Sequence, residues 1–430
     1  MLSKKLIKIF ILNFIICITI QFIFPIDNLK NEVIWRCLIS FVFSYCIYKG
    51  IEEKRLVNPY LLFLLTPLSL MIYSKNVSEY FLLELRSDIW FLAIINMIAF
   101  LVGINIIQKK VIFIGKYNIF PVKNFIKNEK KRSYLIHGII LFIVGEVTQI
   151  SSLIGIVLPV GQLFWVCQFL GIALVYKNGK KTISYIMAII YLAISFITVF
   201  NKTIFLLLSM TFIVLIDSEI KTKKERKKIY FYLILIALIM ILIVFPLKNF
   251  LATGGSLFEF ASSDKDSLAN YFIDRTSWKE KNIKLLMPYM YMVTNWTNLQ
   301  YVLDTVTIHT HGLWFFKPIL GYLQLSDGIE IYSMLKSYRF AFNTYGFIAV
   351  QYIDFGFWGS IFPSICLGLF SGLIYKRYKE YPDPFNCACY ALTAVAIFEM
   401  FFSNHFFIQS YPFTIFIVAW IYAKIMKIKI

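Results

Sequence analysis

Charge is scarce in this chain. Only 16% of its 430 residues are Asp, Glu, Lys or Arg, while 59% are hydrophobic. Soluble domains carry about 25% charged residues and about 45–50% apolar ones, so the balance excludes an ordinary soluble domain. Several signatures are missing as well. There is no GxxxxGK[ST] phosphate loop, no HExxH zinc helix and no GxSxG nucleophile elbow, so the common ATPase, zinc protease and serine hydrolase chemistries are not indicated. No internal repeat of 20–50 residues and no inverted repeat is visible, which counts against several transporter classes. The seven cysteines (17, 37, 46, 167, 366, 387 and 389) all lie in apolar segments. That placement argues against a disulfide framework and a CxxC metal or redox centre; Cys387 and Cys389 read as small packing residues.

What is present is a series of apolar runs of about 20 residues, the pattern of an all-α polytopic membrane protein. Twelve candidate spans fall at 6–25, 33–49, 58–73, 88–108, 134–151, 153–176, 183–200, 203–217, 229–246, 356–375, 385–404 and 408–425. The start, MLSKKLIKIF, has a signal-like charge pattern but no small-residue cleavage site follows, so an uncleaved first helix is expected. The net charge of +19 points to nucleic acid only in a soluble protein. Here the cations alternate with the spans: Lys4, Lys5 and Lys8, Lys49, Lys54 and Arg55, the stretch from Lys109 to Arg132, Lys177, Lys180 and Lys181, KTKKERKK at 221–228, Lys376, Arg377 and Lys379, and Lys424, Lys427 and Lys429. The positive-inside rule then puts these loops and both termini in the cytoplasm. The expected organisation is nine N-terminal helices over 1–246, a large external loop over 247–355 and three C-terminal helices over 356–430. Loops longer than about 12–15 residues are usually functional or disordered. This one holds Trp278, Trp296 and Trp314 with many Tyr and Phe, so short amphipathic helices at the membrane face are expected instead of disorder.

Ionisable residues inside spans are candidates for function because each is costly there. Arg36, Glu146 and Glu399 are of this kind, with His137 and His405 near span ends. The plainer alternatives are a snorkelling arginine and paired structural carboxylates. In the external loop, DRTSWKEKNIK at 274–284 combines Arg275, Lys279 and Lys284 with Trp278. Cations suit a diphosphate, Arg above all through its bidentate fork, and an aromatic plane suits a sugar ring. Arg275 and Arg339 are the preferred pair, since arginine is rare on this side; a basic face meeting lipid headgroups is the alternative. Asp264-Lys265-Asp266 has the DxD spacing of a metal-binding pair, but turn chemistry explains it better. His309-Thr310-His311 lacks an evident third ligand, although either imidazole can act as a base near neutral pH.

The segment NTYGFIAVQYIDFGFWGSIFPSICLGLFSGLIYKRYKE begins at Asn343. Asp354 is expected to cap a helix starting just after it. Gly368 and Gly372 form a small-xxx-small face for close helix packing. With its N-T, aromatic stretch, D-F-G-x-x-G and glycine-containing apolar run, the segment resembles the oligosaccharide repeat unit polymerases, the Wzy-type O-antigen and capsule polymerases. The motif likeness covers roughly 285–376, and the first 245 residues match in hydropathy alone.

That resemblance implies a GT-C-like membrane glycosyltransferase of the bacterial inner membrane. It would move a growing glycan from undecaprenyl diphosphate to a hydroxyl of a lipid-linked repeat unit at the outer face. The family's Asp-Gly motif maps onto Asp354, Gly356 and Gly359. No cofactor or metal is implied; the partners are the undecaprenyl-diphosphate-linked oligosaccharide, membrane lipid and, as a candidate, a chain-length regulator, with no nucleic acid. Arg275 and Arg339 would stabilise the leaving diphosphate. Asp304, Asp354 and His311 are options for the base. Arg36, Trp278, Lys279, Lys284, Trp296 and Asn343 are candidate substrate contacts. The rivals are an O-antigen ligase with a different acceptor, a lipid-linked oligosaccharide flippase, which should carry cations along its spans, and an ion-coupled transporter using Glu146 and Glu399.

Overall fold

The computed structural model describes residues 32–74 apart from 54 and 56, 82–109, 131–153, 161–198, 202–220, 283–322 and 344–425 apart from 408 and 409, with parts of 11–19. Among these residues the structure is helical and contains no strand. The helices are α1 (Glu32–Glu52), α2 (Pro59–Leu62), α3 (Leu65–Met71), α4 (Ser87–Gln108), α5 (Lys131–Leu153), α6 (Gly161–Trp165), α7 (Cys167–Lys177), α8 (Lys181–Thr198), α9 (Lys202–Asp217), α10 (Ile283–Thr305), α11 (Leu313–Tyr322), α12 (Gly346–Gly359), α13 (Ile361–Glu380), α14 (Pro384–Phe398) and α15 (Tyr411–Ile425), with a 3-10 turn at Glu399–Phe401. Four helical stretches, Val33–Glu52, Ser87–Gln108, Tyr134–Ser151 and Pro384–Phe401, are long and apolar enough to cross a membrane. They mark a membrane-embedded protein.

α14 is buried from Pro384 to Ile397, as its all-round apolar sequence requires. Asp383 caps it by accepting from the Asn386 N–H at 2.9 Å, and Pro384 occupies the first turn, where its missing N–H is harmless. Polar contacts collar this end. Tyr378 donates to Asp217 (2.6 Å), Arg55 donates to the Asp217 carbonyl (2.7 Å), and Tyr375 (3.0 Å) and Lys379 (2.6 Å) both reach Glu53. The other end of α14 runs into the 3-10 turn, about 22 Å away at 1.5 Å per residue.

Two close helix pairs build the rest of the core. α4 lies against α13 where Gly103 meets the backbone of 365–369 and Gly368 meets that of 100–103; a Cβ at Gly368 would stand 2.1 Å from the Phe100 carbonyl oxygen. Gly372 continues the contact against Ile104, so the small-residue face is used as the sequence indicates. α5 meets α7 through Gly138, Gly145 and Gly171 in the same way.

Several expectations need revision or lie outside the described residues. The run 153–176 contains two helices, α6 and α7, separated at Val166. The helix expected to start at 356 starts at Ile361, because α12 already occupies 346–359 and is broken at Gly356. Residues 229–246 lie outside the described residues, as does most of 6–25. Within the segment expected to hold short helices, α10 is 23 residues long and buried at Tyr289, Val293, Trp296, Leu299 and Val302.

Candidate functional site

The Asp-Phe-Gly segment is best understood from its backbone. Gly356 has φ +69° and ψ −170°, outside the helical region, so α12 is interrupted there. An L-residue is strained at such a φ, and a Cβ would also lie 2.9 Å from His309 Nε2. The break leaves the carbonyls of Ile353 and Asp354 without their usual i+4 partners. They accept instead from the backbone N–H groups of Thr310 (3.0 Å) and His311 (2.9 Å).

The Asp354 side chain completes this junction. One carboxylate oxygen accepts from the Thr310 hydroxyl and from Trp314 N–H (3.0 Å), and the other from Phe315 N–H (2.7 Å). Asp354 therefore caps the N-terminus of α11, forty residues earlier in the chain, and not the helix that follows it. Burial pushes its carboxyl above the ordinary range, and these hydrogen bonds pull it back. His311 is exposed with φ +49°, beside Gly312 at φ +96°. His309 packs edge-on against Tyr352, with ring centroids 5.3 Å apart.

α10 supplies the neighbouring wall. The Trp296 indole is buried and donates to Ser69 (3.0 Å), so it is a packing residue and not an exposed platform. Asp304 sits half-exposed in an ion pair with Arg86 (2.5 Å), which also pairs with Asp88 (3.0 Å). Arg36 is buried and donates to the Tyr73 carbonyl (2.6 Å). Tyr73 in turn shares a hydrogen with Thr297 at 2.7 Å, which ties this cation's anchor to α10.

A second cluster surrounds the first turn of α12. The N–H groups of Tyr345 and Gly346 both donate to the Phe402 carbonyl, at 3.3 and 3.2 Å. Asn298 donates to Thr344 O (2.7 Å) and Asn404 to Phe347 O (3.1 Å), while Asn295 lies against Gly346. Immediately beyond, His405 Nε2 and Glu399 Oε2 form a buried pair at 2.8 Å, with the His405 ring stacked on Tyr411 at 5.5 Å. Both ring nitrogens of His405, Asn295 Oδ1 and Asn404 Oδ1 are buried and make no hydrogen bond of good geometry.

No family model, curated protein or solved structure matches this chain.

The structure thus brings Asp354, His311, Gly356 and Gly359 into one junction and sets Trp296 and Asp304 on the adjoining α10. Gly359 abuts the Phe355 Cβ, 2.7 Å from where its own Cβ would be. Arg275, Trp278, Lys279, Arg339 and Asn343 lie outside the described residues, and of Lys284 only the helical backbone is described. Sequence reasoning marked Glu399 and His405 separately but not as a pair, and it missed Asn404. Asn295 sits in an Asn-Trp-Thr triplet whose sequence gives no sign of a buried amide. The available signal was simply amides and an imidazole embedded in apolar sequence, where each requires a partner.

Proposed function

We propose that this protein is a glycan polymerase of the bacterial inner membrane, moving a growing chain from undecaprenyl diphosphate onto a hydroxyl of a lipid-linked repeat unit at the outer face. The observation that carries this reading is the buried Glu399–His405 pair beside the unpartnered amide oxygens of Asn295 and Asn404. Glu399 Oε2 lies 2.8 Å from Nε2 of the imidazole, and a carboxylate that close favours the proton on that nitrogen and leaves Nδ1 as acceptor. Transfer to a hydroxyl needs such a base. The acceptor O–H gives its proton to His405 Nδ1 as its oxygen bonds to the anomeric carbon. The bond from that carbon to the diphosphate oxygen breaks, and undecaprenyl diphosphate leaves with the electron pair. Glu399 then stabilises the imidazolium. Asn295 and Asn404 offer hydrogen bonds to sugar hydroxyls. Arg275 and Arg339 are the cations assigned to the diphosphate, and no nucleotide is required because the donor arrives activated.

In this reading Asp354 is a positioning residue that joins α11 to α12. The base thereby moves from Asp304, Asp354 or His311 to His405: Asp354 has both oxygens engaged and Asp304 is held by Arg86.

The test is a deletion strain whose surface glycan is separated on a gel and which is complemented by wild type, His405→Gln, Glu399→Gln, Arg275→Ala or Arg339→Ala, with membrane levels checked by blot. Glycan capped with a single repeat unit in the deletion strain and in His405→Gln is expected. Polymer accumulating on its lipid indicates a ligase, and single units trapped inside indicate a flippase. An unchanged ladder in the deletion strain overturns the proposal.

A further inference from the structure

α5 presents a lipid-facing stripe of Ile136, Ile140, Ile143, Val147 and Ile150, all at least 41% exposed. Its opposite face carries Gly138, Gly145, Glu146 and Gln149. The glycines bring α7 close, and the position of a Gly145 Cβ lies 2.9 Å from Gln168 Cβ. α8 closes the third side: Gln149 Nε2 donates to Ser195 (3.1 Å), and Tyr191, one turn earlier, is within electrostatic range of Glu146. The Tyr191 ring also meets Phe169, the neighbour of Gln168, at 5.5 Å. Three helices therefore meet around the Gly145–Gln149 turn of α5, which carries Glu146.

Their polar atoms are left over. Glu146 is 5% exposed and Gln168 is fully buried. Both carboxylate oxygens of Glu146, Oε1 of Gln149 and both amide atoms of Gln168 have no hydrogen-bond partner. An unsatisfied buried polar group is destabilising, and a carboxylate in a membrane more so. The packing that excludes lipid from these atoms thus leaves them waiting for something to bind. The available donors are oxygens: one carboxylate and two amide carbonyls, with Tyr191 and Ser195 hydroxyls beside them. Hard oxygen sets bind hard cations. A single negative charge balances a single positive one, and a divalent ion would leave an uncompensated charge in the apolar slab.

We infer that Glu146, Gln149 and Gln168, at the junction of α5, α7 and α8, form a binding site for a monovalent alkali-metal cation. The site is separate from the Glu399–His405 pair and does not depend on the glycan reading.

The experiment uses the purified full-length protein in detergent, melted in sodium, potassium or choline chloride at constant ionic strength. A saturable rise in Tm on the order of a few degrees is expected with sodium or potassium over choline, and the comparison shows which ion fits. Glu146→Gln should abolish it. Gln168→Leu and Gln149→Leu should raise the half-saturating concentration about tenfold, the effect of one lost ligand of about 1.4 kcal/mol; they also decide the matter if Glu146→Gln does not fold. Equal melting in all three salts overturns the inference. So does an undiminished rise in Glu146→Gln, an unchanged midpoint in both glutamine variants, or a stability that follows pH and ignores the cation.

Discussion

Asp354 shows how one side chain can hold a junction. Its two oxygens serve three donors from the turn and first residues of α11, and replacing it removes a cap while leaving buried N–H groups unsatisfied. Asp354→Ala is therefore expected to destabilise the protein by about 2–4 kcal/mol, read as a lower Tm and a lower level in the membrane. Asp354→Asn should cost less. Asp383 makes a different prediction. Burial pushes its carboxyl up to about 7, whereas an unfolded Asp ionises near 3.9. A folded value above the unfolded one means that stability is fully present below about pH 4 and declines as pH rises towards 7. Lys177 and Asn386 are the groups that oppose the shift. Melting the purified protein between pH 4 and 8 should show this decline, and Asp383→Asn should flatten it. His405→Gln is expected to lose at least about 100-fold in chain transfer, the scale of a lost general base, at unchanged protein level.

At the scale of elements, the helix pairs that need glycine are the most vulnerable. Gly368→Val would drive a side chain into the Phe100 carbonyl, where backbone cannot yield as a side-chain tip can. A loss of about 1–3 kcal/mol or more is expected, with Gly103→Val equivalent, and both are measurable as reduced thermal stability in detergent. Element-level sequence reading worked where a helix is self-contained. The spans placed at 88–108 and 134–151 match α4 and the apolar part of α5, because hydropathy is a local property and each helix satisfies its own backbone. It failed at α12. An aspartate before a glycine-rich apolar run has the local form of an N-cap, but the donors it serves are forty residues away. The close approach of His309 to Gly356, where a Cβ would meet the ring, is likewise something no local pattern reveals. Trp296 was legible as an aromatic in a polar context, while its burial depends on Ser69, more than two hundred residues earlier.

For the whole molecule, α14 acts as an axis. One end is collared by Glu53, Arg55, Asp217 and Lys379, and the other carries the Glu399–His405 pair. In the proposed orientation the first end lies in the cytoplasm. Fluorescent-protein fusions after Lys177 should therefore be bright, and alkaline phosphatase fusions after Thr305 should be active; the reverse result would invert the molecule and remove the site from the outer face. The paired assignment of Glu399 with His405 belongs to this scale, since the chain must leave α14, pass the 3-10 turn and turn back before the two side chains meet.

Asn96 has a consequence for synthesis. Its amide donates to Ser360 (3.0 Å) and its carbonyl accepts from Ser364 (2.7 Å), partners 264 and 268 residues further along the chain. At about 5–20 residues per second, roughly 13–53 s pass between the emergence of α4 from the ribosome and that of its partners. During that interval the Asn96 amide has one recourse within reach, the Leu92 carbonyl of its own helix, to which it also donates at 2.9 Å. α4 can thus enter the bilayer with its amide N–H groups partly satisfied, keep that local bond and add the bonds to Ser360 and Ser364 when that segment arrives.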